Sequence, residues 1–303
     1  MRKSYAVWDV FTEAPLQGNP LAIVDAADDL SDERMQAIAR EFNLSETVFI
    51  LPPANPAHTA RIRIFTSASE LPFAGHPTVG AAIHLAEERV LRGGAVSSAL
   101  IVLEALGGLL RVGVTKKPGE AAYAEFDAPK LPEEAGQAAP DDRLAAALGL
   151  APSEIGFENH RPTRFAAGPA FTFVPVSGLN AIRRARVVHA HWSEGFGPSA
   201  QAAAYVYCRE TVQHKCAFHV RMFAPGMGMP EDPATGSAAI ALAAVIQRFD
   251  EPGEGEHRCI IEQGAEMLRP SDIHLEFHIE SRRLRLVRIG GRARQVMRGE
   301  LFL

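Results

Sequence analysis

One pattern constrains the fold of this chain more than any other: a glycine-containing loop that opens a helix of small residues occurs twice, about half a chain apart. Phe73-Ala74-Gly75-His76-Pro77-Thr78-Val79-Gly80-Ala81-Ala82-Ile83 returns in outline as Pro233-Ala234-Thr235-Gly236-Ser237-Ala238-Ala239-Ile240. Two copies at that spacing in 303 residues point to a duplicated domain rather than a short repeat array. Length agrees, because halves of about 150 residues can each bury a core. The small residues behind each loop (Ala81 and Ala82, Ala238 and Ala239) let each helix sit close-packed in the middle of its own half, surrounded by strands.

Such a loop has chemistry of its own. A glycine and a polar residue entering a helix leave several backbone N–H groups without intrahelical partners and aim the positive end of the helix dipole outward. Two such ends facing one another would grip a substrate carboxylate without a metal. The plainer alternative is that both loops are only helix caps, with His76 at the N-cap, Pro77 at the favoured first position, and Ser237 as an ordinary capping hydroxyl.

Strand and helix periods fill in the halves. Tyr5 to Phe11 and Pro20 to Val24 read as strands flanking the turn Gln17-Gly18-Asn19-Pro20. Ser31 caps a helix to Phe42 with Met35, Ile38, Ala39 and Phe42 on one face. Strands follow at 46–51 and 60–65, then a helix from Pro77 to about Arg89 that Gly93-Gly94 ends, and a hairpin, 99–104 with 109–114, around Gly107-Gly108. The stretch Pro118 to Pro140, rich in Pro, Ala, Glu and Gly, is the candidate domain connection. Beyond it lie a helix at 141–148, strands at 170–176, 202–208 and 216–223, a helix at 237–249, and strands near 259–262, 273–279 and 284–289.

Composition excludes several classes. A net charge of −5 gives no broad positive field for a nucleic-acid backbone. The arginines between Arg282 and Arg298 alternate with Leu284, Leu286, Val287 and Ile289, as on a solvated strand face. No apolar run reaches the roughly 18 residues of a spanning helix, so no membrane partner is expected and the protein reads as cytoplasmic. Cys208, Cys216 and Cys259 form no disulfide framework or zinc spacing. His189-Ala190-His191 puts two imidazoles on one side of a strand but lacks a third ligand, so no metal is expected. No phosphate-binding glycine motif follows a strand, and no cofactor is implied. Gly226-Met227-Gly228-Met229 reads as a hinge or lid.

Acid/base candidates near the two loops are few. Glu46 leads directly into Thr47-Val48-Phe49-Ile50-Leu51, at the mouth of a buried strand, where desolvation would raise its pKa toward the range useful for proton transfer. Asp232 precedes Pro233 in the second loop, and His76 lies in the first. Separately they read as a strand-end acid, a turn former and a packing imidazole; together they describe a metal-free proton-transfer site.

These residues carry a resemblance. Val10-Phe11-Thr12 with Gly18-Asn19-Pro20, Ser45-Glu46-Thr47, Phe65-Thr66 with the run Glu70 to Thr78, and the run Glu231 to Ala238 resemble the phenazine-biosynthesis PhzF-like family over nearly the whole chain. The resemblance implies an α+β, diaminopimelate epimerase-like fold: two similar half-barrel domains, each wrapped around a central helix, with the active site between them. It implies an N-terminal domain over 1–120, completed by a C-terminal strand at about 292–303, and a second domain over 121–291. In epimerases of this fold two cysteines, one per domain, act as base and acid. Here the corresponding positions are Ala74 and Thr235, so two-thiol racemisation has lost its chemistry. The resemblance implies instead a cofactor-independent isomerase, similar to trans-2,3-dihydro-3-hydroxyanthranilate isomerase, in which Glu46 shuttles a proton and His76 and Asp232 assist. Gly75, Gly236 and Ser237 would hold the substrate carboxylate, with Asn19 as a further contact, in a homodimer. Ser67 stands where relatives often have Pro, a departure that leaves this chemistry untouched. Two alternatives stay open: an epimerase or racemase of another carboxylate, with Asp232 as second base, and a small-molecule binder without turnover.

Overall fold

Runs of β-branched and aromatic residues set the first strands of the computed structural model, which describes residues 1–91 and 97–303. Strand β1 (Arg2–Val10) pairs antiparallel with β2 (Asn19–Val24). It stops one residue short of the expected Phe11 because Phe11 takes a left-handed backbone, φ 64°. Helix α1 (Asp32–Phe42) follows, its N-cap Ser31 accepting a hydrogen bond from the Arg34 N–H and its buried face formed by Met35, Ile38 and Ala39. Strands β3 (Glu46–Leu51) and β4 (Ala60–Phe65) have the expected bounds. After β5 (Glu70–Leu71) comes helix α2 (Gly75–Arg89), then β6 (Ser98–Ala105), β7 (Gly108–Thr115) and β8 (Ala122–Asp127). The expected Gly93-Gly94 stop after α2 lies outside the described residues.

The second run holds β9 (Glu133–Glu134), α3 (Asp141–Leu148), β10 (Thr163–Ala166), β11 (Ala170–Pro175), α4 (Leu179–Arg184), α5 (His189–Phe196) and β12 (Ala204–Cys208). It ends with β13 (Phe218–Ala224), β14 (Met229–Asp232), α6 (Gly236–Asp250), β15 (Gly255–Gln263), β16 (Ser271–Glu280) and β17 (Arg283–Phe302). The chain divides into two compact units, Met1–Pro129 with Ile289–Leu303, and Lys130–Arg288.

Each unit uses the same sequence of pairings. In the first, β1 and β2 are antiparallel, β2 and β3 parallel across α1, β3 and β4 antiparallel, and β5 folds back on β4 before α2; then β6 runs parallel to β4 and antiparallel to β7. In the second, β10 and β11 are antiparallel, β11 and β12 parallel across α4 and α5, β12 and β13 antiparallel, and β14 folds back on β13 before α6; then β15 runs parallel to β13 and antiparallel to β16. The repeated loop is thus one part of a repeated topology.

The two helices that open from the repeated loops are cores of their units. Every residue of α2 from Gly75 to Ala86 is buried, and the helix packs on β1, β2, β3, β6, β7 and β8. Helix α6 is buried from Ala238 to Ile246 and packs on β10, β11 and β16. A helix apolar all round belongs inside, and alanine and glycine allow the sheet to approach it closely.

Two expectations are corrected. His189 and His191 lie on α5, not on a strand; the helical repeat of Trp192 and Phe196, both buried, wins over the short β-branched run before it, and imidazoles two apart on a helix do not share a face. The boundary between the units, Pro129 to Lys130, falls within the expected Pro118–Pro140 stretch, but that stretch is not only a connection, since it also contains β8, paired with β7. Its inward positions Ala122, Ala124 and Phe126 alternate properly, but two of the three are alanines and give a weak strand signal. The arginine-rich strand runs on past Ile289 to Phe302, and several of its cations are ion-paired, as Arg288 with Glu276 at 3.2 Å and Arg292 with Glu120 at 2.8 Å. Among the described residues no helix is long and apolar enough to cross a membrane.

Candidate active site

In the first unit Glu46, Asn19 and His76 come together. Glu46 is the first residue of β3, directly beside Leu21 of β2, and only 9% of its surface is exposed. Asn19, fully buried, is the first residue of β2. His76 is the second residue of α2 and 3% exposed. The parallel pairing of β2 with β3 brings two strand starts to one edge, and the start of the central helix meets them there.

The contacts fix an orientation. The Asn19 side-chain amide faces His76 Nδ1 at 3.3 Å, and His76 Nε2 lies 3.3 Å from Glu46 Oε2. That second contact is close but not aligned as a hydrogen bond. Burial pushes the His76 imidazole down to about 3, so it is neutral through the working pH range. With Asn19 donating to Nδ1, the imidazole proton sits on Nε2, the nitrogen turned toward Glu46. A buried carboxylate beside a neutral N–H donor has the parts of an acid/base pair.

His76 is not the helix cap. The N-cap is Ala74, in extended conformation and with no side chain to cap the first turn, and Gly75 and His76 occupy the first two helical positions. The first-turn N–H groups therefore point out of the helix end beside His76, the arrangement that favours an anion.

In the second unit Asp232 ends β14 and is 5% exposed. The N-cap of α6 is Thr235, yet its hydroxyl makes no capping bond; it donates to Asp232 Oδ2 at 2.6 Å. Gly236 and Ser237 hold the same first and second helical positions as Gly75 and His76. Both helix starts are therefore left without a side-chain cap, the one because alanine has none to offer and the other because threonine is turned away.

Sequence reasoning missed one member of this second cluster. Gln263, at the end of β15 and 1% exposed, accepts from the Thr235 N–H at 3.0 Å and donates to the Asp232 carbonyl at 2.7 Å and to Thr235 Oγ1 at 2.9 Å. Nothing local marks it, because the contact is made by the parallel pairing of β13 with β15.

Comparison with known proteins decides the family. The model of the phenazine biosynthesis-like family PhzC-PhzF matches residues 8–299. The chain belongs to this family. It is 52% identical, over 99% of both chains, to an uncharacterized isomerase of Mesorhizobium japonicum. It is 34% identical, again over 99% of both, to the trans-2,3-dihydro-3-hydroxyanthranilate isomerase of Pseudomonas aeruginosa. The phenazine biosynthesis protein of the PhzF family from Bacillus anthracis superposes over 100% of both chains with a TM-score of 0.88 at 26% identity. A probable proline racemase from Agrobacterium radiobacter shares the fold alone, with a TM-score of 0.65 at 12% identity over 99% of this chain and 93% of its own. The PhzF-type protein described above is accordingly an isomerase, strand-rich with few helices, on a fold shared with proline racemase-like epimerases.

Proposed function

We propose that the protein is a cofactor-independent isomerase that moves a proton on a small cyclic or amino/hydroxy carboxylate, with Glu46 as the acid/base group. The observation that carries this reading is the buried Glu46 carboxylate beside the neutral His76 imidazole. Its fold is α+β and diaminopimelate epimerase-like, each half-barrel built round its central helix. Glu46 takes a proton from one substrate carbon and returns it to another. His76, with its proton on Nε2, and Asp232 position the substrate or assist enol–ketone interconversion. Gly75, Gly236 and Ser237 hold the carboxylate at the uncapped helix starts, and Asn19 keeps the His76 ring in its tautomer. The partner is a small carboxylate rather than nucleic acid or membrane, and the protein works in the cytoplasm as a homodimer.

The thiols argue against racemisation by paired cysteines. None occupies positions 74 or 235, and burial pushes the Cys208, Cys216 and Cys259 thiols up to about 12, too high to supply a thiolate base.

The test uses trans-2,3-dihydro-3-hydroxyanthranilate in D₂O, with consumption followed by absorbance and deuterium incorporation by NMR. Wild type should turn it over and exchange deuterium, and Glu46→Gln should lose at least the ~10²-fold expected when a general acid/base is removed. A folded wild type that binds the compound without turnover sinks the phenazine-type activity; equal rates in wild type and Glu46→Gln remove Glu46 from the chemistry.

A further inference from the structure

The hydrogen bonds around Asp232 have a direction. The Thr235 backbone N–H donates to Gln263 Oε1 at 3.0 Å, which fixes the amide with its oxygen on that side and its NH₂ toward Asp232 and Thr235. Gln263 Nε2 then donates both to the Asp232 carbonyl at 2.7 Å and to Thr235 Oγ1 at 2.9 Å. Since Oγ1 accepts a hydrogen bond from Gln263, its own O–H is left to donate to Asp232 Oδ2, 2.6 Å away. The chain of donors runs one way: Gln263 amide, Thr235 hydroxyl, Asp232 carboxylate.

All three side chains are more than nine-tenths buried, so water does not offer an equal substitute for a lost partner. The frame behind them is equally constrained. Ser271 Oγ donates to the Pro233 carbonyl at 3.0 Å, and Gly264, next to Gln263, lies so close to that carbonyl that a Cβ would stand 2.6 Å from its oxygen. Residues 232–235 are thus held from the β15 end by side chain and backbone together.

We propose that Gln263 and Thr235 are positioning residues for the isomerisation, a relay that addresses one oxygen of Asp232, fixes the plane of its carboxylate, and keeps the Thr235 hydroxyl off the helix start of α6. The inference rests on the function proposed above, in which Asp232 assists the reaction and Gly236 and Ser237 hold the substrate carboxylate. Removing the hydroxyl takes away the hydrogen bond that Asp232 Oδ2 accepts from Thr235; replacing the Gln263 amide by a carboxylate removes the donor that orients the hydroxyl. Thr235→Val keeps the side-chain shape and removes the hydroxyl, Thr235→Ser retains a hydroxyl, and Gln263→Glu keeps the length while removing the NH₂ donor.

The experiment measures two quantities in wild type and the three variants: kcat and KM with trans-2,3-dihydro-3-hydroxyanthranilate, and the ¹³C resonance of the Asp232 side-chain carboxyl in the protein without substrate. Thr235→Val and Gln263→Glu should each lower kcat by about 10-fold or more with KM changed by less than about 3-fold, the pattern of a group felt in the transition state. Both should displace the Asp232 resonance, and Thr235→Ser should recover most of each effect. Folded variants with a wild-type resonance, or a displaced resonance with unchanged kcat, overturn the inference. If wild type does not turn the compound over, the proposed function falls on that result alone, and the resonance still decides whether the relay holds Asp232.

Discussion

At Gly80, in the middle of α2, two residue-scale effects oppose one another. Alanine in a helix interior is worth about 1 kcal/mol over glycine, while forcing an extra carbon into a filled core costs about 1–3 kcal/mol. A Cβ at Gly80 would lie 2.5 Å from Leu21 Cδ2 and 2.9 Å from Val10 Cγ2, and both of those side chains are fully buried. Packing should win, and Gly80→Ala should lower stability by roughly 1–2 kcal/mol in urea titration; a more stable variant would show that the β1 and β2 side chains can give way. The geometry at this scale was partly legible beforehand. Glu46 stood out as an acid leading into an apolar strand, and His76 as a polar residue in a small-residue loop, and they meet at 3.3 Å. Gln263 could not be found in the same way. Its amide reaches Thr235 only because β15 lies parallel to β13, and a glutamine at the end of a strand carries no signal of that.

Strand pairing also sets an electrostatic element that no linear pattern reveals. His219 of β13 is the register partner of Glu262 of β15, and its fully buried ring spans Glu262 at 2.7 Å and Glu266 at 3.0 Å. Burial by itself would depress this imidazole, but the hydrogen bonds to the two carboxylates outweigh it and hold its pKa up at about 9. Burial likewise opposes ionisation of Glu262 and Glu266, yet the bonds to His219, with the Val212 and Gln213 N–H groups on Glu262, keep both below the usual carboxylate range. A raised folded-state pKa means that the His219 contribution is complete below its ordinary value of 6.5 and is lost as pH rises through about 9. The two carboxylates act in the opposite sense, contributing above their ordinary 4.5 and fading as pH falls through their lowered values. The urea stability of wild type should therefore fall between pH 6.5 and 9 by roughly 3 kcal/mol at most. His219→Gln should flatten that limb; an equal alkaline loss in both proteins would assign it elsewhere. Elements marked by a plain apolar run or a helical repeat, such as β3, β4 and α3, were legible to the residue, whereas β8, with alanines at two of its inward positions, and α5, after a β-branched run, were not.

For the whole molecule the duplicated loop proved to be the visible part of a duplicated topology, and the chain order is one place where the copies differ. The second unit is continuous from Lys130 to Arg288, but the first is assembled from both ends of the chain. Strand β17 supplies the antiparallel partner of β1, from Val10 opposite Ala293 to Arg2 opposite Phe302. Beyond that pair the Met1 amine donates to the Leu303 carbonyl at 2.6 Å and the Leu303 N–H to the Met1 carbonyl at 2.9 Å. The termini are adjacent, so joining them by a few glycines and opening the chain between Pro129 and Lys130, in the loop between β8 and β9, makes both units continuous. No native pairing is lost, and β17 with β1 becomes a hairpin instead of the longest-range contact in the molecule. Closing a loop of a few residues rather than nearly the whole chain removes about 3 kcal/mol of closure entropy from that step. The two tryptophans report separately, because buried Trp8 lies on β1 and Trp192 on α5. In a Trp192→Phe background the permuted protein should recover Trp8 fluorescence at least about 10-fold faster on refolding, with a urea midpoint close to that of the unpermuted chain. Faster recovery would show that pairing the two chain ends limits assembly of the first unit; an unchanged rate would place the barrier within β1 to β8, and a permutant that does not fold would mean that the first unit needs its native chain order.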